Sequence, residues 1–212
     1  MPKYKNILFF ALRFMVIYGV LITPWPGMKS VYASYFGTLG TLVFAQNDGP
    51  RQIQFQPRDD HNHVWPKNFD TEIILANRDL PDSQGKPKAF MLTVDAWQMG
   101  WTPTVFLVSL ILATPIPWRR QLRAILWGML WIHGFIFWTV GIFIWNESTR
   151  LSLVTLTPFW KEVANHVEEL ALNPVGPSFF AAAVIWILVS FRRRDFTGIP
   201  CAEKQCSNPE DG

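Results

Sequence analysis

The sequence predicts a membrane protein: an all-α transmembrane bundle of four helices, with a small extracytoplasmic α+β insertion of three strands between helices 1 and 2. Three observations predict it. Half of the 212 residues are hydrophobic and only 17% are charged, whereas a soluble domain carries about a quarter charged residues. The apolar residues gather into four runs, each close to the roughly 20 residues, range about 17–25, that a helix needs to cross a bilayer. Lys and Arg cluster beside those runs, as they do on the cytoplasmic side of membrane proteins.

The first run extends from Asn6 to Trp25, "NILFFALRFMVIYGVLITPW". The second is "WTPTVFLVSLILATPIPW", Trp101 to Trp118, and the third is "AILWGMLWIHGFIFWTVGIFIW", Ala124 to Trp145. The last is "VGPSFFAAAVIWILVSF", Val175 to Phe191. Trp25, Trp101, Trp118 and Trp145 mark ends, where an indole keeps its ring in lipid and its N–H in water. Lys3 and Lys5 precede the first run, Arg119, Arg120 and Arg123 join the second to the third, and Arg192, Arg193 and Arg194 follow the fourth. With four spans all three clusters fall on one side, which sets both termini in the cytoplasm. The layout is then a cytoplasmic N-terminus and first span over 1–25 and an extracytoplasmic region over 26–100. Spans two to four occupy 101–191, and a cytoplasmic tail occupies 192–212. The first span is expected to be retained rather than cleaved: it exceeds the usual 7–15 residues of a signal sequence. It also contains Arg13, and "TPWPGMK" separates it from the small residues of "VYAS". Cys201 and Cys206 fall in the tail, where reducing conditions disfavour a disulfide.

The extracytoplasmic region opens on "MKSVYASYFGTLGTLVFAQ". Val31, Tyr32, Tyr35, Phe36, Leu39, Leu42 and Val43 recur at helical spacing, with Ala33, Gly37 and Gly40 between them, so an amphipathic helix is expected, lying at the outer interface or packed on the spans, where the small residues would permit close approach. "RQIQFQ" alternates Ile53 and Phe55 with glutamines, the pattern of a half-buried strand. Residues 71–77 and 88–95 read as two further strands, with "RDLPDSQGKP" as the turn between them. Three short strands are marginal alone, so the sheet is expected to rest on the amphipathic helix. A second extracytoplasmic helix is expected at 158–172, with Thr157 as cap and Pro158 as its first residue. It would group Glu162, His166 and Glu169 on one face.

Chemistry is sparse. "RDDHNHVW" concentrates Asp59, Asp60, His61 and His63, all competent metal ligands, and Glu162 and His166 are the available helpers from the other extracytoplasmic segment. No spacing motif for zinc, nucleotide or nucleophile chemistry accompanies them. Loops also favour Asp, Asn, His and Pro for their turn chemistry, so no metal site and no cofactor is expected. His133 is the one ionisable residue near the middle of a predicted span, a position that points to function by default. The competing expectation is a neutral imidazole bonded to a neighbouring helix. The net charge of +3 forms no nucleic-acid tract, so the bilayer and other membrane proteins are the expected partners.

The order of parts, from the first span through "GWTPTVFLVSLILATPIPWRRQLRAILWG" and "FWKEVANHVEELAL" to "NPVGPSFFAAAVIWILVSFRRR", is similar to the small membrane proteins encoded with exosortases in Gram-negative bacteria, especially the exosortase H-associated type. The resemblance lies in layout over most of the chain and rests on no catalytic signature. It implies a multi-pass protein of the bacterial inner membrane that accompanies an exosortase-type peptidase. Exosortases use a Cys, an Arg and a His, and here no Cys lies in a span or an outside segment. The resemblance therefore implies a non-enzymatic accessory in envelope protein sorting or surface-polymer export. The alternative is a membrane enzyme or redox subunit using His133 or the extracytoplasmic His/Asp/Glu groups.

If "DDHNH" is a solvent-facing loop, purified protein contains no stoichiometric zinc, and changing His61 and His63 to Ala leaves its metal content unchanged. Elemental analysis showing one zinc per chain, lost in that double variant, would refute the expectation.

Overall fold

A computed structural model describes residues 3–44, 51–58, 69–81, 87–150 and 175–191. Helix α1 (Lys3–Ile22) turns at Gly27, whose φ of +80° favours glycine, into α2 (Met28–Phe44). A sheet follows: β1 (Arg51–Pro57), β2 (Thr71–Pro81) and β3 (Pro87–Val94). A π-helical turn (Trp97–Trp101) then runs without a break into α3 (Thr102–Ala113). Helices α4 (Trp118–Arg150) and α5 (Val175–Ser190) complete the described chain. The fold is thus mostly helical with one small antiparallel sheet.

The sheet has the order β1-β2-β3. Ile53 pairs with Leu75 and Phe55 with Ile73, while Ile73 pairs with Leu92 and Leu75 with Phe90. Cross-strand partners share a face, so these apolar residues form one surface and the glutamines of β1 point the other way. Burial of Phe55, Ile73 and Leu75 contributes about 1.5–3 kcal/mol each. The three strands lie where the alternation places them, and β2 and β3 face each other from Pro81 and Pro87, the bounds of the predicted hairpin. β3 stops one residue short of the predicted end because Asp95 turns to cap a helix.

The sheet packs on α2 through only part of the stripe the sequence suggests, together with the small residues set among it. Tyr32, Ala33, Phe36, Gly37 and Gly40 are buried, whereas Val31 and Leu42 are 70% and 78% exposed. The small residues are the packing face because an aromatic ring lies directly on them. A Cβ at Gly40 would meet Phe55 Cδ1 at 2.7 Å. That ring also stacks on Phe44 (5.9 Å) and meets Phe36 at a steep angle (6.4 Å).

Helix α3 is the centre of the helical part and packs against α1, α4 and α5. Helix α4 presents one i+4 stripe to the core: Ala124, Gly128, Ile132, Ile136, Val140 and Ile144. Gly128 leaves space for Leu107 and Ile111 of α3, which a Cβ there would approach at 3.2–3.3 Å. Helix α1 touches the rest through Phe10, Phe14 and Tyr18, which meet Trp186 and Phe106. Its opposite face, with Leu8, Phe9, Leu12 and Met15, is exposed.

Two helices, Lys5–Ile22 and Trp118–Arg150, are long and apolar enough to cross a membrane. The helical stretches Trp97–Ala113 and Gly176–Ser190 are apolar but shorter. The second predicted span therefore begins earlier and ends earlier than its apolar run, because Pro115 and Pro117 break the helix at Thr114. "RRQLR" is not a connection: Arg119, Arg120 and Arg123 lie in the first two turns of α4. The α3–α4 break, the start of α1 and the end of α5 meet around one groove bounded by Asn6, Pro115, Arg120 and Phe191. The sheet and the π turn sit at the other end of α3. The helix expected at 158–172 and the tail 192–212, with Cys201 and Cys206, lie outside the described residues.

The contact between Gly40 and Phe55 predicts that Gly40→Ala destabilises by about 1–3 kcal/mol, the cost of overpacking a filled core. Thermal unfolding in detergent measures it, and Gly19→Ala, with open space around the site, is the control that should not reproduce the loss.

Candidate functional site

The densest polar and aromatic chemistry lies where the sheet meets the π turn. Asp70, directly before β2, reaches the start of the next helical element. Its Oδ1 accepts the Ala96 N–H at 2.8 Å and the Thr71 hydroxyl at 3.1 Å, and its Oδ2 accepts the Trp97 N–H at 3.2 Å. The first N–H groups of a helix lack intrahelical partners, and that end of the helix is electropositive. A carboxylate with two acceptor oxygens answers both conditions. Asp95 adds an ordinary cap: its Oδ1 accepts the Gln98 N–H at 2.9 Å. Burial raises the Asp95 carboxyl above the ordinary carboxylate range, with Asp70 adding to the shift, while the Gln98 N–H and the Lys29 charge pull it back.

Aromatic rings wrap this junction. Tyr32 meets Trp97 edge-on at 6.4 Å and Trp101 at 5.4 Å, and those two indoles stack on each other at 5.2 Å. Lys29 Nζ lies 5.9 Å from the Trp97 ring centre, within cation–π range. Trp97 and Trp101, four residues apart at the two ends of the π turn, project to the same side. Gly100 sits beneath the Tyr32 hydroxyl, so close that a Cβ there would overlap it. The Tyr32 hydroxyl and the Trp101 indole N–H are buried with no hydrogen-bond partner among the described residues. Burial, with Tyr35 and Asp70 nearby, raises the Tyr32 phenol far above its ordinary value, so it stays protonated.

His133 lies one ring further out. Its Nδ1 is 2.8 Å from the Met129 carbonyl, one turn back on its own helix, which makes Nδ1 the protonated nitrogen. Its ring stands edge-on to Tyr35 of α2 at 5.9 Å. The bond expected to a neighbouring helix is therefore a bond to its own, and the neighbour supplies a ring instead. The other sequence candidates, Asp59, Asp60, His61, His63, Glu162, His166 and Glu169, lie outside the described residues. Among the described residues no three His, Cys, Asp or Glu side chains come together as metal ligands.

Sequence reasoning passed over Asp70 and Asp95. For Asp95 a signal was present: Asp, two residues, then Gln is the spacing of a capping box, hidden because "KAFMLTVDAW" continues the strand composition. For Asp70 no local signal exists, since its partners lie 26 and 27 residues on. Chemically, the polar groups are spent on structure. Asp70 takes three donors, Tyr32 keeps its proton and His133 is bonded to its own helix.

The two carboxylates are predicted to respond differently to amidation. Asp70→Asn sets an amide N–H₂ against a backbone N–H and costs about 1–3 kcal/mol. Asp95→Asn keeps the cap and stays within about 0.5 kcal/mol of the parent at neutral pH. Because the folded pKa of Asp95 is raised, its ionisation costs stability at neutral pH. That cost declines as pH falls through the folded value and is gone below the unfolded value of about 3.9. Unfolding followed against pH should show this component in the parent and lose it in Asp95→Asn. No protein-family model matches the chain, and no curated protein or solved structure matches it.

Proposed function

We propose that the chain is a non-enzymatic accessory or scaffold subunit of the bacterial inner membrane, crossing it four times with both termini in the cytoplasm. On this reading it holds a small α+β platform against the outer face of the bilayer and serves envelope protein sorting or surface-polymer export, with an exosortase-type peptidase as partner. The observation that carries the proposal is the use made of the central polar groups. Asp70, Asp95 and His133 are each engaged with backbone: Asp70 ties the sheet to the helices, Asp95 caps the π turn and His133 bonds its own helix.

Further support comes from the outer faces. Leu8, Leu12 and Met15 on α1 and Leu126, Leu130 and Trp138 on α4 are exposed apolar side chains; continuous faces of this kind need lipid or protein around them. The four-span topology draws support from the shared end of the bundle. The start of α1, the α3–α4 break and the end of α5 meet there, so Lys5, Arg119, Arg120 and Arg123 are gathered on one side, as the positive-inside rule requires. The Trp97–Ala113 stretch would reach about 25 Å at 1.5 Å per residue, enough for a thinned or locally covered bilayer.

Reporter fusions after Asp60 and after Arg194 should report outside and inside respectively. Both on one side, or the reverse, would overturn the topology. A detergent-solubilised complex should contain an exosortase-type peptidase and show no haem or metal absorbance. A protein that isolates alone with a stoichiometric chromophore would overturn the accessory role.

A further inference from the structure

Helix α1 is held to the rest of the fold on one side only. Phe10, Phe14 and Tyr18 meet the rings of Trp186 and Phe106. The other side is open: Phe9, Leu12, Val16 and Val20 are all more than half exposed. Arg13 shares that side. Its side chain is exposed, and residues three and four apart on a helix are neighbours, so Phe9 and Val16 flank it.

The position of this arginine along the helix is the unusual feature. It stands midway between Lys3 and Ile22, about 15 Å from the helix start at 1.5 Å per residue. That is the middle of a hydrocarbon core about 30 Å thick. The other Lys and Arg residues of the described helices all stand within two turns of a helix end. Among the described residues Arg13 has no ion-pair or hydrogen-bond partner. The apolar runs supply no counter-charge either, since residues 1–47, 96–146 and 170–194 contain no Asp or Glu. A second copy of the chain is excluded as its source for the same reason. A charged side chain at this depth is costly, and it pairs with another polar group. The planar guanidinium matches a carboxylate with two parallel N–H···O bonds.

We propose that the Arg13 face of α1 docks a transmembrane helix of a different protein, one that carries an Asp or Glu near its middle and receives two N–H groups of the guanidinium on that carboxylate. Phe9, Leu12 and Val16 supply the apolar contact around the pair. The proposal rests on the membrane-embedded reading above and states the chemistry of the partner in it.

The test uses the full chain in phosphatidylcholine liposomes, with a donor fluorophore on the chain. The acceptor is on a synthetic helix of about 21 Leu and Ala residues, long enough to span, with a central Glu, Gln or Leu. Resistance of the chain to alkaline extraction reports embedding by itself. Release by alkali would overturn the embedded reading and this proposal with it, whereas an embedded chain that shows no energy transfer overturns the proposal alone. Transfer to the Glu helix should exceed transfer to the Gln and Leu helices. Arg13→Leu should weaken association with the Glu helix about tenfold, the scale of one interhelical polar contact in a bilayer, and Arg13→Lys should keep part of it. Arg13→Glu should lose the Glu helix and gain a helix with a central Lys, an exchange that a merely structural role does not produce. Val16→Trp, which obstructs the face, should weaken association, and Leu130→Trp on α4 should not. Equal association of the parent and Arg13→Leu with the Glu helix would overturn the proposal and leave lipid headgroup phosphate as the partner of Arg13. No preference for Glu over Leu at the centre of the helix would overturn it as well.

Discussion

Residue Asp70 is the joint on which the two halves of the fold depend. Its backbone N–H donates to the Val94 carbonyl at the end of β3, and its carbonyl accepts the Arg58 N–H just beyond β1. Its carboxylate takes the N–H groups of Ala96 and Trp97. One residue thus fixes the ends of all three strands and the first turn of the central helical stretch. Without that grip, a three-stranded sheet beside the helices would depend on α2 alone, and three strands are marginal by themselves.

The central helix is finished at its other end with equal economy. The last carbonyls of α3 have no intrahelical donors, and Gln121 of α4 reaches back to those of Ile111 and Leu112 at 3.1–3.2 Å. Thr114 bonds the Leu110 carbonyl and accepts the Trp186 indole N–H of α5 at 2.9 Å. Within the helices, Thr104, Ser109, Thr139 and Ser148 each donate to the carbonyl four residues earlier. A hydroxyl on an apolar helix has few other partners, so this is the local solution available to it. These hydroxyls are satisfied by their own helices, in contrast to the Tyr32 hydroxyl and the Trp101 indole N–H at the junction with the sheet.

How much of this was legible in the sequence depended on the range of the interaction. Alternation around Ile53 and Phe55 fixed a strand and its inner face, because period two is a local property. The apolar runs located α1, α4 and α5, again because composition is local. Prolines 115 and 117 were visible too, yet the basic residues after them drew the boundary to the wrong place: charge suggested a loop where the backbone had already resumed a helix. The packing face of α2 was legible in part: Tyr32 and Phe36 lay on the predicted stripe and are buried, and the small residues among them permitted close approach, but what approaches them was not visible. Glycine and alanine score poorly as core residues until a ring as large as that of Phe55 is known to lie on them. Asp70 was out of reach, since nothing near it announces partners 26 residues away. His133 was recognised as unusual, but its use of the Met129 carbonyl removes the need for a partner helix.

The double character of α2 has a physical reason once α4 is used as a ruler. Trp118 and Trp145 are exposed near its two ends, separated by about 40 Å at 1.5 Å per residue, close to a bilayer with its headgroup regions, about 40–45 Å. Between them, α2 leans on the second half of α4: Tyr35 against His133, Phe36 stacked on Phe137 at 5.7 Å, and Phe44 against Phe137 and Gly141. Under the four-span proposal, α2 therefore lies alongside the outer half of the hydrocarbon and not above it. It then has two apolar neighbours, the sheet on its small-residue face and lipid on the face that carries Val31, Leu42 and Val43. A helix so placed cannot show the single clean stripe of an interfacial helix. On the same proposal the sheet it supports is held low, against the headgroups, with the polar face of β1 turned outward from the core.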